Sequence, residues 1–428
     1  MNNYDNMYYR KVVNPDKAVQ FIKPGDGIIF PIMPGEPPLL LDAISKYEKL
    51  QNNTIYRMLP SFPTLKLPEN KIKQVSLFLS GMDRKEMNNG SIDLLPNNFS
   101  DIPSLLLSRE PNPIIMATVS PMDRDGNFSL GTSPSYIAPL IKHAKHIILE
   151  VNKFMPRTFG KDNLINISQV SAIIENDVEL PTLPTPEISK KDLIIGKYIS
   201  NLVNDGDTLQ IGFGSIPNAV MEFLKDKKDL GIYTEMLPDK LVDLYESGTI
   251  TNKYKEVCPG YSVATFAVGS KKLYDFINNN HDIRMLSCDY VNNQDVIKRL
   301  DNLVSINSTV EIDFLGQCNS ERIRNHYYSS TGGQTDFMKG VKKTAHGKGI
   351  ICMYSTAKND TVSTIVPVLY TGSPVSTSKN DTDIVVTEYG VAYLKGKTIK
   401  ERTKELINIA HPKFKDYLYE EALKLKYI

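Results

Sequence analysis

Gly206-Asp-Thr-Leu-Gln-Ile-Gly-Phe-Gly-Ser-Ile-Pro-Asn-Ala-Val220, then a helix-like segment, then Gly231-Ile-Tyr-Thr-Glu-Met236, is the stretch on which the fold turns. Thr208 to Ile211 is a short β-rich run between Gly206-Asp207 and Gly212, the pattern of a buried strand. Gly212 and Gly214 let the backbone turn sharply and approach a ligand closely. Pro217 suits the first turn of a helix, and Asn218 to Leu230 is rich in helix formers. A glycine turn feeding a helix N-terminus presents free N–H groups and a positive dipole end to an anion. A second short strand, predicted over Gly231 to Thr234, delivers Glu235 at its carboxyl end, where open α/β sheets bind ligands. The stretch thus places a carboxylate and an anion-binding loop on one rim. On spacing alone, a structural βαβ unit with a solvated glutamate is the simpler reading.

Composition bounds the partners. The 428 residues are 41% hydrophobic and 23% charged, an ordinary globular balance with length for two or three domains. A formal net charge of +1 gives no reason to expect nucleic acid or an anionic membrane as partner. The opening residues lack the basic and apolar regions of a signal peptide, and no apolar run approaches the ~20 residues that span a bilayer. Cys258, Cys288, Cys318 and Cys352 are widely spaced and form no CxxC pair, as expected of reduced thiols in a cytoplasmic protein.

Upstream, Pro24-Gly-Asp-Gly-Ile-Ile-Phe-Pro-Ile32 reads as a strand entered from a turn, and Met33 to Pro38 as a loop before a helix from Leu39 to Leu50. This repeats the plan of the 206–235 stretch: Gly-Asp, apolar strand, glycine loop, proline, amphipathic helix. One βα module used twice, about half a chain apart, predicts duplicated domains rather than a solenoid. His143 and His146 sit three apart, but no third ligand is nearby, so the spacing is weak support for a metal site and none is assigned. Glu179-Leu-Pro-Thr-Leu-Pro-Thr-Pro-Glu187 is a stiff, proline-rich spacer. It sets the expected domains as residues 1–186 and 187–428.

In the second half, polar or glycine-rich loops repeatedly follow apolar strands, as on a ligand-binding rim. Ser330-Thr-Gly-Gly-Gln-Thr-Asp-Phe337 is a second glycine turn, and Gly349-Ile-Ile-Cys-Met353 opens into a polar segment holding one cation, Lys358. A lysine just beyond a buried strand is well placed to meet a phosphate. Glu388, ending the strand Thr382 to Thr387, is a competing carboxylate that can equally cap a helix or pair with Lys395 or Lys397.

Taken together the motifs make a specific match. Those carrying it include Ser100-Asp-Ile-Pro103, Val119 to Gly131, Glu150-Val-Asn-Lys-Phe-Met-Pro-Arg-Thr158, Gly212 to Val220, Gly231 to Met236, Gly332-Gly-Gln-Thr-Asp-Phe337, Ser355-Thr-Ala-Lys358, Val386-Thr-Glu-Tyr-Gly390 and Ile407 to Pro412. In this order they resemble the acetyl-CoA hydrolase/transferase family, most of all its 4-hydroxybutyrate and butyryl-CoA:acetate CoA-transferases. The resemblance implies two tandem open α/β domains of similar, NagB/RpiA-like fold, with the active site between them and most CoA contacts in the second. It implies Glu235 as the thioester-forming residue. It implies CoA contacts at Gly212, Phe213, Gly214, Ser215 and Ile216, at Gly332 and Gly333, and at Lys358. The chain departs from the family pattern at Tyr233, where histidine is usual, and at Pro238-Asp239-Lys240, where Ser-Asp-Gly is usual.

The implied activity is an acetate-dependent CoA-transferase of ping-pong mechanism, acting on 4-hydroxybutyryl-CoA or butyryl-CoA through a covalent glutamyl-CoA. Its partners are acyl-CoA and short-chain carboxylates, with no permanently bound cofactor, and its assembly a homodimer or larger closed oligomer. The rivals are an acyl-CoA hydrolase using the same site, a sugar-phosphate isomerase-like enzyme on a related fold, and a non-catalytic CoA sensor.

Overall fold

Gly27–Ile29 (β1) leaves a turn in which Gly25 takes a φ of +80° and Asp26 accepts the Lys23 amide at 2.8 Å. The strands that follow are Asn53–Met58 (β2), Ile72–Phe78 (β3), Asp93–Leu94 (β4), Ile114–Val119 (β5), His146–Val151 (β6) and Ala172–Glu175 (β7). They form one parallel sheet in the order β4-β3-β2-β1-β5-β6-β7. Parallel strands are covered on both faces and so read as continuous apolar runs, and every residue of β5 is buried. The helix Pro38–Lys46 connects β1 to β2 and packs Leu40, Leu41 and Ile44 against Ile28, Ile55, Ile114 and Met116. Each such buried Leu or Ile contributes roughly 1.5–3 kcal/mol.

The computed structural model describes residues 3–428 and divides the chain into two compact units. One is the chain up to Pro184 together with Val263–Val291; the other is Thr185–Ser262 with Asn292–Ile428. The chain first leaves the first unit at 184/185, beside the boundary expected at 186/187, and later crosses back. Residues 263–291 return to the first unit, where the Ser135 amide donates to the Thr265 carbonyl and the Met285 amide to that of Phe159. A spacer rich in proline marks where the chain first leaves a unit, but the later return carries no such signal.

The second unit repeats the module. Gly206 has a φ of +80°, and Asp207 accepts the Asn204 amide at 2.8 Å. Thr208–Ile211 (β8) follows, fully buried, at the residues the sequence predicts. The sheet adds Gly231–Ile232 (β9), Leu303–Ser308 (β10), Lys348–Cys352 (β11), Ile384–Thr387 (β12) and Gly390–Tyr393 (β13), in the order β9-β8-β10-β11-β12-β13. All neighbours are parallel except β12 and β13. The strand order reverses between β8 and β10, which puts the glycine loop at the switch point where open α/β sheets bind ligands. The core of this unit joins Ile351 and Val385 of the sheet to Met338, Leu406 and Leu418 of the covering helices. One of these, Ile399–Asn408, starts at a Thr398/Glu401 capping box.

Two elements are shorter than predicted. The helix after the glycine loop is Ser215–Glu222 rather than Asn218 to Leu230. Lys225-Asp-Lys-Lys-Asp229 supplies helix formers but little apolar face to bury, and Asp229 turns out at a φ of +56°. The strand predicted over Gly231 to Thr234 ends at Ile232, because Thr234 spends its hydroxyl on the end of the neighbouring strand.

Candidate active site

Thr234 Oγ1 lies 3.0 Å from the Ile211 carbonyl and 3.1 Å from that of Met236. It ties the end of β8 to the turn that follows β9, and so fixes where Glu235 emerges. Beneath, Lys255 is buried and donates from Nζ to the carbonyls of Ile232, at 2.8 Å, and Tyr261. Burial pushes its ammonium down to about 7. Tyr233, also fully buried, stands edge-on to Phe337 with ring centroids 6.5 Å apart. The departure from histidine at this position therefore adds a core contact. The second departure, Pro238-Asp239-Lys240, starts the helix Lys240–Glu246, with Lys240 paired to Glu222.

Glu235 is half-buried. Its Oε2 accepts Asn292 Nδ2 at 2.8 Å, and the Gly333 amide also donates to the carboxylate. Burial pushes the carboxyl up to about 8; the Asn292 bond opposes the rise, the like charge of Asp336 adds to it, and the Gly333 bond opposes it. The fit around the carboxylate is close. A Cβ built on Gly333 would stand 1.8 Å from Glu235 Oε2 and 2.2 Å from Asn292 Nδ2. Gly332, at a φ of +58°, makes the turn, and Gly333 caps the helix Gln334–Val341. One carboxylate thus sits between a side-chain amide and a backbone amide at a helix N-terminus. Such an arrangement can hold a nucleophile in place and meet the oxyanion that forms when it attacks a carbonyl.

The first glycine loop lies on the adjacent strand. Gly214 has a φ of +146°, a conformation essentially restricted to glycine. A Cβ on Gly212 would meet no protein atom within 4 Å, and Phe213 is 40% exposed. Ile216 is buried. The Ser215 hydroxyl is turned away from the loop and donates to Asp192 Oδ1 at 2.9 Å. The same oxygen accepts the Tyr354 hydroxyl at 2.6 Å, and Asp192 Oδ2 accepts the Ser189 amide at 2.7 Å. Burial alone would raise the Asp192 carboxyl, but the bonds from Ser189, Tyr354 and Ser215 outweigh it and hold the group below the ordinary carboxylate range. Asp192 therefore clamps the glycine loop after β8 to the polar segment after β11.

That segment carries Lys358 on the hairpin Thr356–Ala357/Val362–Ser363. Lys358, Asn359 and Asp360 turn with φ of 50°, 54° and 61°. Asp360 is held by Lys191 at 2.6 Å and by Thr356. Glu388, the competing carboxylate, accepts the Ser355 amide at 2.8 Å and its hydroxyl at 2.9 Å, with Lys191 3.4 Å away. It anchors the hairpin's root. The structure brings Glu235 and Gly333 together, sets Gly212 to Ile216 on the next strand, and leaves Lys358 three strands away. Asn292, Asp192 and Lys255 are missing from the sequence reading. Asn292 and Lys255 are single polar residues in no motif, whereas Asp192 closes the Ser189-Lys-Lys-Asp192 capping box of the helix Lys190–Ser200, a signal for a helix start and not for a site. His146 bonds Ser171 Oγ through Nδ1 at 3.1 Å and packs on Phe21.

Models of two domains match the chain: the acetyl-CoA hydrolase/transferase N-terminal domain over residues 1–184 and the acetyl-CoA hydrolase/transferase C-terminal domain over residues 269–422. The chain is 44% identical to the succinyl-CoA:cyclohexane-1-carboxylate CoA transferase of Geobacter metallireducens, with 99% of this chain and 98% of that one covered. The chain belongs to the acetyl-CoA hydrolase/transferase family. Another member, the 4-hydroxybutyrate coenzyme A transferase of Clostridium kluyveri, is 42% identical over 98% of this chain and 99% of its own length. Among solved structures, RipA from Yersinia pestis superposes with a TM-score of 0.92 at 36% identity over the full length of both chains. The acetyl-CoA hydrolase/transferase assignment makes a CoA thioester the substrate class. Among the described residues, no helix is long and apolar enough to cross a membrane.

Proposed function

We propose that this protein is a CoA-transferase that moves CoA between a short-chain acyl-CoA, 4-hydroxybutyryl-CoA or butyryl-CoA, and acetate, through a thioester on Glu235. The observation that carries the proposal is the Glu235 carboxylate gripped by Asn292 and Gly333. A Glu235 oxygen attacks the thioester carbonyl carbon, and the tetrahedral intermediate expels CoA thiolate to leave an acyl-glutamyl anhydride. The thiolate then attacks the glutamyl carbonyl and releases the free acid, which leaves glutamyl-CoA. A second carboxylate reverses both steps. Each exchange is close to isoenergetic, because one acyl bond is made as one is broken. In this reading the Asn292 amide and the Gly333 N–H stabilise the oxyanions, an effect typically worth ~3 kcal/mol per donor. Gly212 to Ile216 and Lys358 bind the CoA.

Incubation with acyl-CoA alone leaves the glutamyl-CoA undischarged, and borohydride reduces it to an alcohol on Glu235. Peptide mapping that finds the label elsewhere, or a Glu235→Gln protein with wild-type turnover, sinks the proposal. Hydrolysis is the competing use of the same site; CoA release that is independent of added acetate would replace transfer with it.

A further inference from the structure

A cavity of about 150 Å³ opens in the same unit as Glu235, at the opposite edge of its sheet. Asp383, which lines it, directly precedes β12 and accepts the Gly349 amide at the start of β11. These are the amino ends of the strands, whereas Glu235 and the first glycine loop follow carboxyl ends. The helix Gln334–Val341 runs from one edge to the other. Gly333 at its start donates to Glu235, and Met338 and Val341 near its end line the cavity. Its 8 residues cover ~12 Å at ~1.5 Å each, which sets the cavity apart from the catalytic carboxylate.

The lining joins apolar to charged groups. Met338 and Val341 are buried. The rest includes three cations, Lys342, Lys395 and Arg402, and two carboxylates, Asp381 and Asp383. Lys342 and Asp381 pair with each other at 3.1 Å. Arg402 donates from Nε to the Lys397 carbonyl at 3.2 Å, and from Nη1 to those of Leu315 and Lys379 at 3.0 and 2.6 Å. Among the described residues nothing accepts from its Nη2, and no carboxylate pairs with Lys395. Burial pushes the Asp383 carboxyl up, opposed by the charge of Lys395 and the bond from Gly349. The cavity therefore keeps one net positive charge, with a guanidinium nitrogen and an ammonium unspent.

We propose that this cavity is a second small-molecule site, taking a short-chain monocarboxylate with its carboxylate on Arg402 and Lys395 and its alkyl chain against Met338 and Val341. The size agrees, since a cavity of this volume admits a molecule of about six heavy atoms, the count of butyrate. A dicarboxylate brings one charge too many, and a zwitterion leaves the net charge unanswered. On the transferase reading above, a short-chain acid is also what the enzyme releases, so its own reaction supplies the occupant.

Sodium butyrate is the probe, and hydrogen exchange read by mass spectrometry locates it. Butyrate should slow exchange in peptides covering 379–383 and 395–402, with a Kd on the order of 1 mM for so small a ligand. Lys395 is exposed and bonds no protein group, so Lys395→Gln should melt as wild type does and weaken butyrate at least ~5-fold. Glu235→Gln should leave the protection at both segments unchanged. Succinate and 4-aminobutyrate should each bind at least ~5-fold more weakly than butyrate, because their net charges do not match that of the cavity. Protection confined to peptides around Glu235, an affinity unchanged in Lys395→Gln, or 4-aminobutyrate bound as tightly as butyrate overturns the assignment. None of these measurements needs turnover. Protein without acyl exchange that still binds butyrate through Lys395 supports the cavity and refutes the transferase reading, and the converse result refutes the cavity alone.

Discussion

Gly333→Ala is the sharpest perturbation of the site, because its effect follows from one distance. The added Cβ stands 1.8 Å from Glu235 Oε2, where ordinary contact begins at 3.4 Å, a deficit of about 1.6 Å. It also meets Asn292 Nδ2 at 2.2 Å. Both are side-chain ends that must swing aside, which takes the carboxylate out of its position against Gly333. The φ of Gly333 is −92°, so alanine brings no backbone strain and the clash alone is tested. A nucleophile displaced by about 1 Å loses roughly 100-fold in rate, so kcat should fall at least that far. Overpacking lowers stability by only ~1–3 kcal/mol, and CoA binding should persist.

The double variant separates displacement from general damage. Glu235→Asp withdraws the carboxylate by one methylene and alone should also lose about 100-fold. Combined with Gly333→Ala, it retreats from the new methyl, so the two losses should fall well short of additive, as they do for groups in contact. Steady-state acyl exchange, with a thermal melt as control, decides the matter. Wild-type kcat in Gly333→Ala, or full additivity in the double variant, would refute the reasoning.

The remaining predictions concern the carboxylates around the site. Glu235 is held up to about 8 in the folded protein against an ordinary 4.5, so the native state binds the extra proton between those values; stability should fall as pH rises through this window and level off above about 8. Melts of Glu235→Gln should be flatter across the window than wild type, and parallel curves would contradict the assignment. Because the ionised form attacks, kcat/KM for acyl-CoA should climb with pH to a plateau above about 8. Asp192→Ala should raise KM for acyl-CoA by about tenfold with kcat little changed, because the glycine loop loses its tie to Tyr354; a loss confined to melting temperature would mean a purely structural role. Glu388→Gln should still trap the borohydride-reduced adduct on Glu235, since Glu388 holds Ser355.

The fold was readable where burial writes itself into sequence. β8 lies at its predicted residues because a central parallel strand is apolar on both faces and bounded by glycine. Element ends were less readable, because tertiary bonds set them: the Thr234 hydroxyl ends β9, and an unpacked lysine-rich run ends the helix after Gly214. The same division holds for the site. Gly214 announces itself through a conformation few other residues tolerate. The approach of Gly333 to Glu235 joins residues distant in sequence, and only the family resemblance put both in one site before folding did. Asn292 carries no local signature, and the capping box that Asp192 completes with Ser189 announces a helix start but not the bonds to Ser215 and Tyr354 that folding adds.

The duplicated module shows why one copy carries the proposed chemistry and the other does not. In the first unit, the helix after the loop begins at Pro38, and the amides of Leu39 and Leu40 donate to Glu150 Oε2 at 3.0 and 3.3 Å. The protein's own carboxylate fills the anion site at that helix N-terminus. Burial pushes Glu150 up to about 7, opposed by the bonds from Asn176, Leu40 and Leu39. In the second unit, the helix begins at Ser215, and among the described residues no carboxylate accepts the Ser215 or Ile216 amide. A ligand anion can therefore be met there. On this argument Glu150 is a built-in occupant and plays no part in binding substrate. Glu150→Ala should leave two helix amides and Asn176 unpaired and lower stability by ~2–3 kcal/mol. Its KM and kcat should stay within about twofold of wild type. A rise in KM for acyl-CoA at unchanged melting temperature would show instead that the first module also serves the substrate.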